Sequence, residues 1–256
     1  MEIIIGYIFF ILSGLLFGLF GAGGSLVTIP ILMFFFSISF KISTSYSLII
    51  VFFTSFFGIF LTKNFKIHKI RSVLIFAVIS ILGVYFSRNY LFELISEKIL
   101  LLVFVFFLFS SGISMLFNFK FNKLNFLVKR SKLISCFPLL AQAFLVGNLT
   151  GLLGVGGGFL IVPVLILFQK FNVKQAAHAS LILIFLNSTL AIFSDINNNV
   201  LKVDFLLLAS IIFLSFIGFI LGLKIRVKLN LKIMHSLFAL FLIIISLLVG
   251  INIQHF

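Results

Sequence analysis

The stretch GLLGVGGGFLIVP, Gly151 to Pro163, holds five glycines in thirteen residues and lies inside an apolar run from Leu133 to Phe168. Glycine destabilises a helix interior by about 1 kcal/mol relative to alanine. A hydrophobic segment that carries such a cluster ends one helix there and starts another. The same event occurs earlier in the chain. A shift of 133 residues lays GLFGAGGS (Gly18 to Ser25) over GLLGVGGG (Gly151 to Gly158), Pro30 over Pro163 and Leu32 over Leu165. Seven of the fifteen positions from 18 to 32 are identical, and the register runs on without a gap. Lys41 meets Lys174, Ser47 meets Ser180, Ser55 meets Ser188 and Lys69 meets Lys202. The chain reads as a duplicated unit of about 125 residues, as transporter folds commonly are.

The composition places both copies in a membrane. Of 256 residues, 62% are hydrophobic and 9% charged, against about 25% charged in a soluble domain. No water is available in the hydrocarbon, so spanning segments satisfy their own backbone as helices. The alternating strands of about ten residues that mark a membrane barrel are absent. The expected fold is an all-α polytopic membrane protein. Its apolar segments are Ile3–Phe20, Leu26–Phe40, Ile42–Leu61, Ser72–Ser87 and Ile99–Phe117, then Ser135–Leu153, Phe159–Phe168, Ala176–Ser194, Phe205–Leu223 and Ile233–Gly250. Glu2 stands where a secretory signal would carry a basic region, so the first segment is expected to be retained.

The net charge of +14 comes from short basic loops between apolar spans. That is the pattern of topology signals and not of a nucleic-acid-binding face. Loops 63–71, 120–132 and 224–232, with Lys170 and Lys174, hold fifteen of the nineteen Lys and Arg residues. If each glycine-broken run makes two crossings, or a hairpin that returns, all fifteen lie on one side. Lys41, Arg88, Lys98 and Lys202 then lie on the other. If each run crosses once, the split is ten to nine. The positive-inside rule favours the ten-segment arrangement, with the basic loops cytoplasmic and both termini outside. Equivalent loops also differ in charge: 63–71 is basic where 196–204 is nearly neutral, and 88–98 is weakly charged where 224–232 is basic. Oppositely oriented copies would show this. The expectation is two inverted repeats of about five helical segments each, 1–120 and 135–256, joined by a basic cytoplasmic linker at 121–134. Glycine-broken helices or re-entrant hairpins would meet near the midplane. Phe159–Phe168 rises only about 15 Å, half a bilayer; whether it and Leu26–Phe40 cross or re-enter stays open.

A helix that starts inside the membrane presents unpaired N–H groups and the positive end of its dipole, which favour an anion. The candidate binding residues are Gly21, Gly23, Gly24 and Ser25 in the first break and Gly154, Gly156, Gly157 and Gly158 in the second, with Pro30 and Pro163 as helix-breaking markers. Close helix packing is the competing use of such glycines, as in Gly14 with Gly18 and Gly147 with Gly151. A nucleotide loop would need a Lys-Ser/Thr pair and a preceding strand, and has neither. Asn148 and Asn187 are intramembrane amides, which face bundle interiors for hydrogen bonding or pore lining. His178 lies within the predicted span Ala176–Ser194; anion contact and a helix-end position near Lys174 are both open to it. The carboxylates Glu2, Glu93, Glu97, Asp195 and Asp204 all fall at or near span ends, so coupling through a mid-span carboxylate is not expected. No nucleophile–base pair or metal-ligand cluster is evident, and Cys136 is the sole cysteine. An enzyme, a cofactor, a metal and a disulfide are therefore not expected.

The paired motifs, Gly21-Ala22-Gly23-Gly24-Ser25 with Pro30 and Gly154-Val155-Gly156-Gly157-Gly158 with Pro163, resemble those of the sulfite exporter TauE/SafE family of membrane anion permeases. The resemblance extends over both halves, and Ser25 departs from a third glycine in the first copy. It implies transport of small anions such as sulfite, sulfonates or related carboxylates across a bacterial plasma membrane. The expected function is an anion permease working by alternating access, whose partners are a small anionic substrate and the lipid bilayer, with no nucleic acid. A channel-like facilitator and a non-transport membrane enzyme or assembly factor are the alternatives.

Overall fold

The computed structural model describes residues 2–20, 24–62, 70–117, 136–167, 171, 173–201, 204–226 and 231–254. The described residues form helices and no strand. The first half comprises α1 (Glu2–Phe20), α2 (Gly24–Phe36), α3 (Phe40–Leu61), α4 (Ile70–Phe86), a π-helical turn (Ser87–Leu91), the short α5 (Phe92–Leu94) and α6 (Glu97–Phe117). The second comprises α7 (Cys136–Leu153), α8 (Gly158–Leu167), α9 (Val173–Asn197), α10 (Phe205–Arg226) and α11 (Leu231–Ile251). Five helical stretches are long and apolar enough to cross a membrane: Ile3–Phe20, Phe40–Leu61, Ile70–Leu94, Gln175–Asn197 and Phe205–Ile225. Large apolar side chains point outward on the helices, among them Leu206, Phe106, Phe213 and Ile244. Lipid tails are the solvent that accepts such a surface.

One boundary differs from expectation. The fourth span does not stop at Ser87; it runs on through the π-helical turn to Leu94. Arg88, counted above as a loop charge, is buried within it. A charge ends a span only when it has to reach water, and Arg88 finds a carboxylate instead.

Helices pair mostly across the two halves. α1 packs on α10, and α4 on α7, as tight crossings set by glycine. A Cβ at Gly14 would overlap the backbone of Ser215, and one at Gly18 that of Phe219. A Cβ at Gly147 would overlap the backbone of Ser80, and one at Gly151 would press on Val84 and Ser87. Both crossings are parallel, because contacts advance together along the two chains. α3 and α9 cross antiparallel: Phe52 stacks on Phe185 at 5.0 Å between ring centres, and Thr62 near the end of α3 meets His178 near the start of α9. α10 runs with α3, through Phe57 on Phe216, and α4 runs with α9, through Ser80 on Asn187. α1, α3 and α10 therefore point one way, and α4, α7 and α9 the other. The apolar core forms two main clusters. One cluster includes Leu26, Ile29 and Leu32 of α2 with Phe104 and Leu242, and the other includes Phe76, Ile161, Leu165 and Ile184.

Candidate functional site

The second glycine cluster is a break of unusual backbone. α7 ends at Leu153, and Gly154, Gly156 and Gly157 have φ of 65°, 66° and 71°. Three left-handed residues in four cost side-chain-bearing residues about 1–2 kcal/mol each and cost glycine little. α8 then restarts, with the Leu160 and Ile161 amides bonded to the Gly157 carbonyl at 3.0 and 2.8 Å. Space is equally limiting: a Cβ at Gly154 would overlap Thr44, and one at Gly157 the Thr150 hydroxyl. The first break lies alongside. Ser25, buried at the start of α2, donates from its hydroxyl to the Val155 carbonyl at 2.5 Å. The two breaks thus touch, although their sequences lie 130 residues apart. Gly24, Ser25, Gly154, Gly156, Gly157 and Gly158 are all buried here, while Gly21 and Gly23 lie outside the described residues.

Each break is flanked by hydroxyl side chains, Thr44 and Thr150 at the second. Beside the first, a cavity of about 10 Å³ is lined by Ser13, Gly24, Ser25, Thr54 and Ser215, among others. That is space for about one water. Thr54 bonds back to the Ile50 carbonyl at 2.8 Å, and the buried Ser215 hydroxyl has no partner. On α9, three residues after Ile184, whose side chain a Cβ at Gly156 would meet, Asn187 is fully buried; its Oδ1 accepts from the Ser80 hydroxyl at 2.9 Å and its Nδ2 has no partner. The two settings are repeats of each other: Asn187 is the counterpart of Thr54, and Ser80 of Ser215. The first relation is the shift of 133, and the second is 135. The same 135 relates Gly83 to Gly218, whose Cβ positions would overlap Phe144 and Ile11 respectively, themselves a 133 pair. The second half therefore carries two extra residues between α9 and α10.

A charged cluster sits behind the second break. Arg88, 1% exposed, pairs with Asp195, also 1% exposed. The contact is two-pronged, Nε to Oδ1 and Nη2 to Oδ2, the latter 2.6 Å. Arg88 also donates to the Ser45 hydroxyl (2.8 Å), the Thr44 hydroxyl (3.2 and 3.3 Å) and the Gly151 carbonyl (2.9 Å). Its guanidinium lies 3.8 Å from the centre of the Phe92 ring. Bidentate pairing and ring stacking are what a guanidinium does better than an ammonium. The π-helical turn that carries Arg88 is of a kind frequent at functional sites.

A family model described as "Sulfite exporter TauE/SafE" matches residues 7–249, nearly the whole chain. The chain belongs to the TauE/SafE family. Two curated relatives agree in kind. "Probable membrane transporter protein MJ0441" of Methanocaldococcus jannaschii is 28% identical over 206 residues, covering 78% of this chain and 73% of the relative. "Probable membrane transporter protein YunE" of Bacillus subtilis is 49% identical over 49 residues, 19% of this chain and 18% of the relative. No solved structure matches. The TauE/SafE chain is thus an integral membrane protein of a transporter family.

Within this TauE/SafE fold, the residues expected from sequence separate into groups. The described break glycines and Ser25 come together, and Asn187 lies one turn along α9 from the Ile184 that meets Gly156. Asn148 does not join them: its Nδ2 bonds the Phe144 carbonyl of its own helix at 2.9 Å, beside Gly83 on α4. His178 lies at the far end of the α3–α9 crossing, where its Nδ1 meets the Thr62 hydroxyl at 2.8 Å. Pro30 and Pro163 do not mark the breaks. Each lies inside its helix, α2 or α8; before α8, glycines with positive φ have already ended the preceding helix. Arg88, Asp195 and Thr44 were missed. The one signal for them was a lone arginine at the edge of an apolar run, in a chain with only five acidic residues.

Proposed function

We propose that this protein carries small oxyanions (sulfite, sulfonates or related carboxylates) across the membrane by alternating access between two inverted repeats, with the substrate bound where the glycine breaks meet. The carrying observation is the pair of buried, unpartnered donors, Ser215 Oγ in the cavity beside the first break and Asn187 Nδ2 on α9, one turn from the Ile184 that meets Gly156. Leaving a polar group buried and unpaired costs about 1–3 kcal/mol, and a ligand rich in acceptor oxygens relieves that cost. The glycine backbones add close approach without a Cβ. Antiparallel crossing of α3 with its counterpart α9, and the opposite directions of α1 and α7, support inverted repeats. The repeats exchange α4 and α10, so that each packing unit draws on both 1–120 and 135–256. A substrate site with room for one water fits an occluded carrier better than an open channel.

The test is uptake of radiolabelled sulfite, methanesulfonate and acetate into proteoliposomes holding the purified full chain. Uptake of at least one anion, accelerated by the same anion inside the vesicles, is the expected outcome. Uptake without such acceleration would indicate a facilitator. Uptake of cations alone would overturn the anion reading.

A further inference from the structure

Arg88 is the one Lys or Arg side chain that is buried among the described residues. The fold itself does not require it there. At the equivalent place in the other half, 135 residues on, stands Leu223, in a regular stretch of α10 without a π-helical turn. Asp195 has Thr62 as its counterpart, and Ser45 has His178. At the other end of the α3–α9 crossing, the Thr62 hydroxyl and His178 Nδ1 meet at 2.8 Å. The guanidinium–carboxylate pair thus has uncharged residues, Leu223 and Thr62, at its two counterpart positions.

Resting on the oxyanion-carrier reading, we infer that Arg88 is an anion-binding residue and that the Asp195 carboxylate occupies, in the closed and empty form, the place a transported oxyanion takes when loaded. Arg88 lies immediately behind the second break. It donates to Gly151, the last glycine of α7, and shares Thr44 with Gly154. Thr44 and Ser45 belong to α3, in the opposing group of helices, so Arg88 reaches across the boundary that alternating access must open. Asp195 presents two oxygens to two guanidinium N–H groups, the arrangement that a carboxylate or sulfonate ligand adopts. A tethered carboxylate is a strong competitor because its effective concentration is high. It also keeps the empty carrier neutral: an unpaired guanidinium buried in the membrane is strongly unfavourable. The loaded carrier exchanges one anion for another on Arg88, and Asp195 makes the unloaded return possible.

The full-length wild type and Asp195→Asn are purified in detergent, and their affinities for sulfite, methanesulfonate and acetate are measured by thermal shift. Both are also reconstituted for flux. Removing the tethered competitor should tighten anion binding by at least about tenfold. In vesicles, Asp195→Asn should keep sulfite–sulfite exchange while net uptake falls by about tenfold, because the empty carrier cannot return. A role confined to holding helices together would lower thermal stability and leave both affinity and the exchange-to-net ratio unchanged. That result in a protein that still binds anions would overturn the inference and leave the carrier reading standing. If no probe binds either protein, both fall. Should Asp195→Asn fail to fold, the charge-free double variant Arg88→Leu/Asp195→Thr takes the residues of the other half and removes both charges together, which buried pairs often tolerate. It should fold and bind anions at least about tenfold more weakly than wild type. Wild-type affinity in that variant would also overturn the inference.

Discussion

Asn187 provides a direct separation of function from stability. Its Nδ2 is buried with no partner, and its Oδ1 accepts one hydrogen bond from Ser80. Leucine has nearly the same branched shape as asparagine and no polar atoms. Asn187→Leu removes an orphan donor whose burial costs about 1–3 kcal/mol and forfeits a hydrogen bond worth about 0.5–1.5 kcal/mol. Ser80 is not left unpaired by the change, since its hydroxyl also donates to the Ala77 carbonyl at 3.0 Å. The variant should therefore be as stable as wild type or more stable, by up to about 2 kcal/mol. Anion affinity should fall about tenfold to a hundredfold, the equivalent of a lost hydrogen bond to a charged group. Thermal unfolding in detergent with and without sulfite, methanesulfonate or acetate reads both quantities from one sample. Ser80→Ala is the control: it strands Oδ1 and should cost about 1–3 kcal/mol. A destabilised Asn187→Leu protein that binds its anion normally would refute the argument, because the amide would then be a structural element of the α4–α9 contact.

Three further outcomes are expected. Gly14→Ala and Gly147→Ala, which would drive a methyl into the facing backbones of Ser215 and Ser80, should each cost about 1–3 kcal/mol by similar amounts. Gly250→Ala, whose Cβ meets only Val105 at 3.6 Å, should be neutral or gain up to about 1 kcal/mol; thermal denaturation compares the three. Gly157→Ala should lose about 1–2 kcal/mol from its left-handed backbone and more from overlap with Thr150. A Thr150→Ala background should restore only the second part, which a double-mutant cycle resolves. Single cysteines placed in loops 63–71, 120–132 and 224–232 of a Cys136→Ser protein should all be labelled from the cytoplasmic side. Labelling of 63–71 and 224–232 from opposite faces would contradict the inverted arrangement.

Hydropathy, glycine and charge are local signals, and what depends on local physics was legible in the chain. An apolar run of about twenty residues becomes a helix in any membrane, since its backbone has no other partner. The positive φ of Gly154, Gly156 and Gly157 shows why no other residue serves at that break. The repeat identified both breaks together, and Asn187 stood out as an amide where amides are costly. That α10 packs on α1 and α4 on α7 was not legible, because which helix covers which is a matter of packing at long range. Nor was the two-residue insertion before α10, which appears only when Gly83 and Gly218 are seen in equivalent crossings. Above all, Arg88 read as the edge of a loop and Asp195 as the end of a span. Whether a charge lies in water or in the membrane interior depends on the partner it meets, and here that partner is 107 residues away. Only the tertiary structure brings the two together, and their mutual neutralisation is what allows both to be buried.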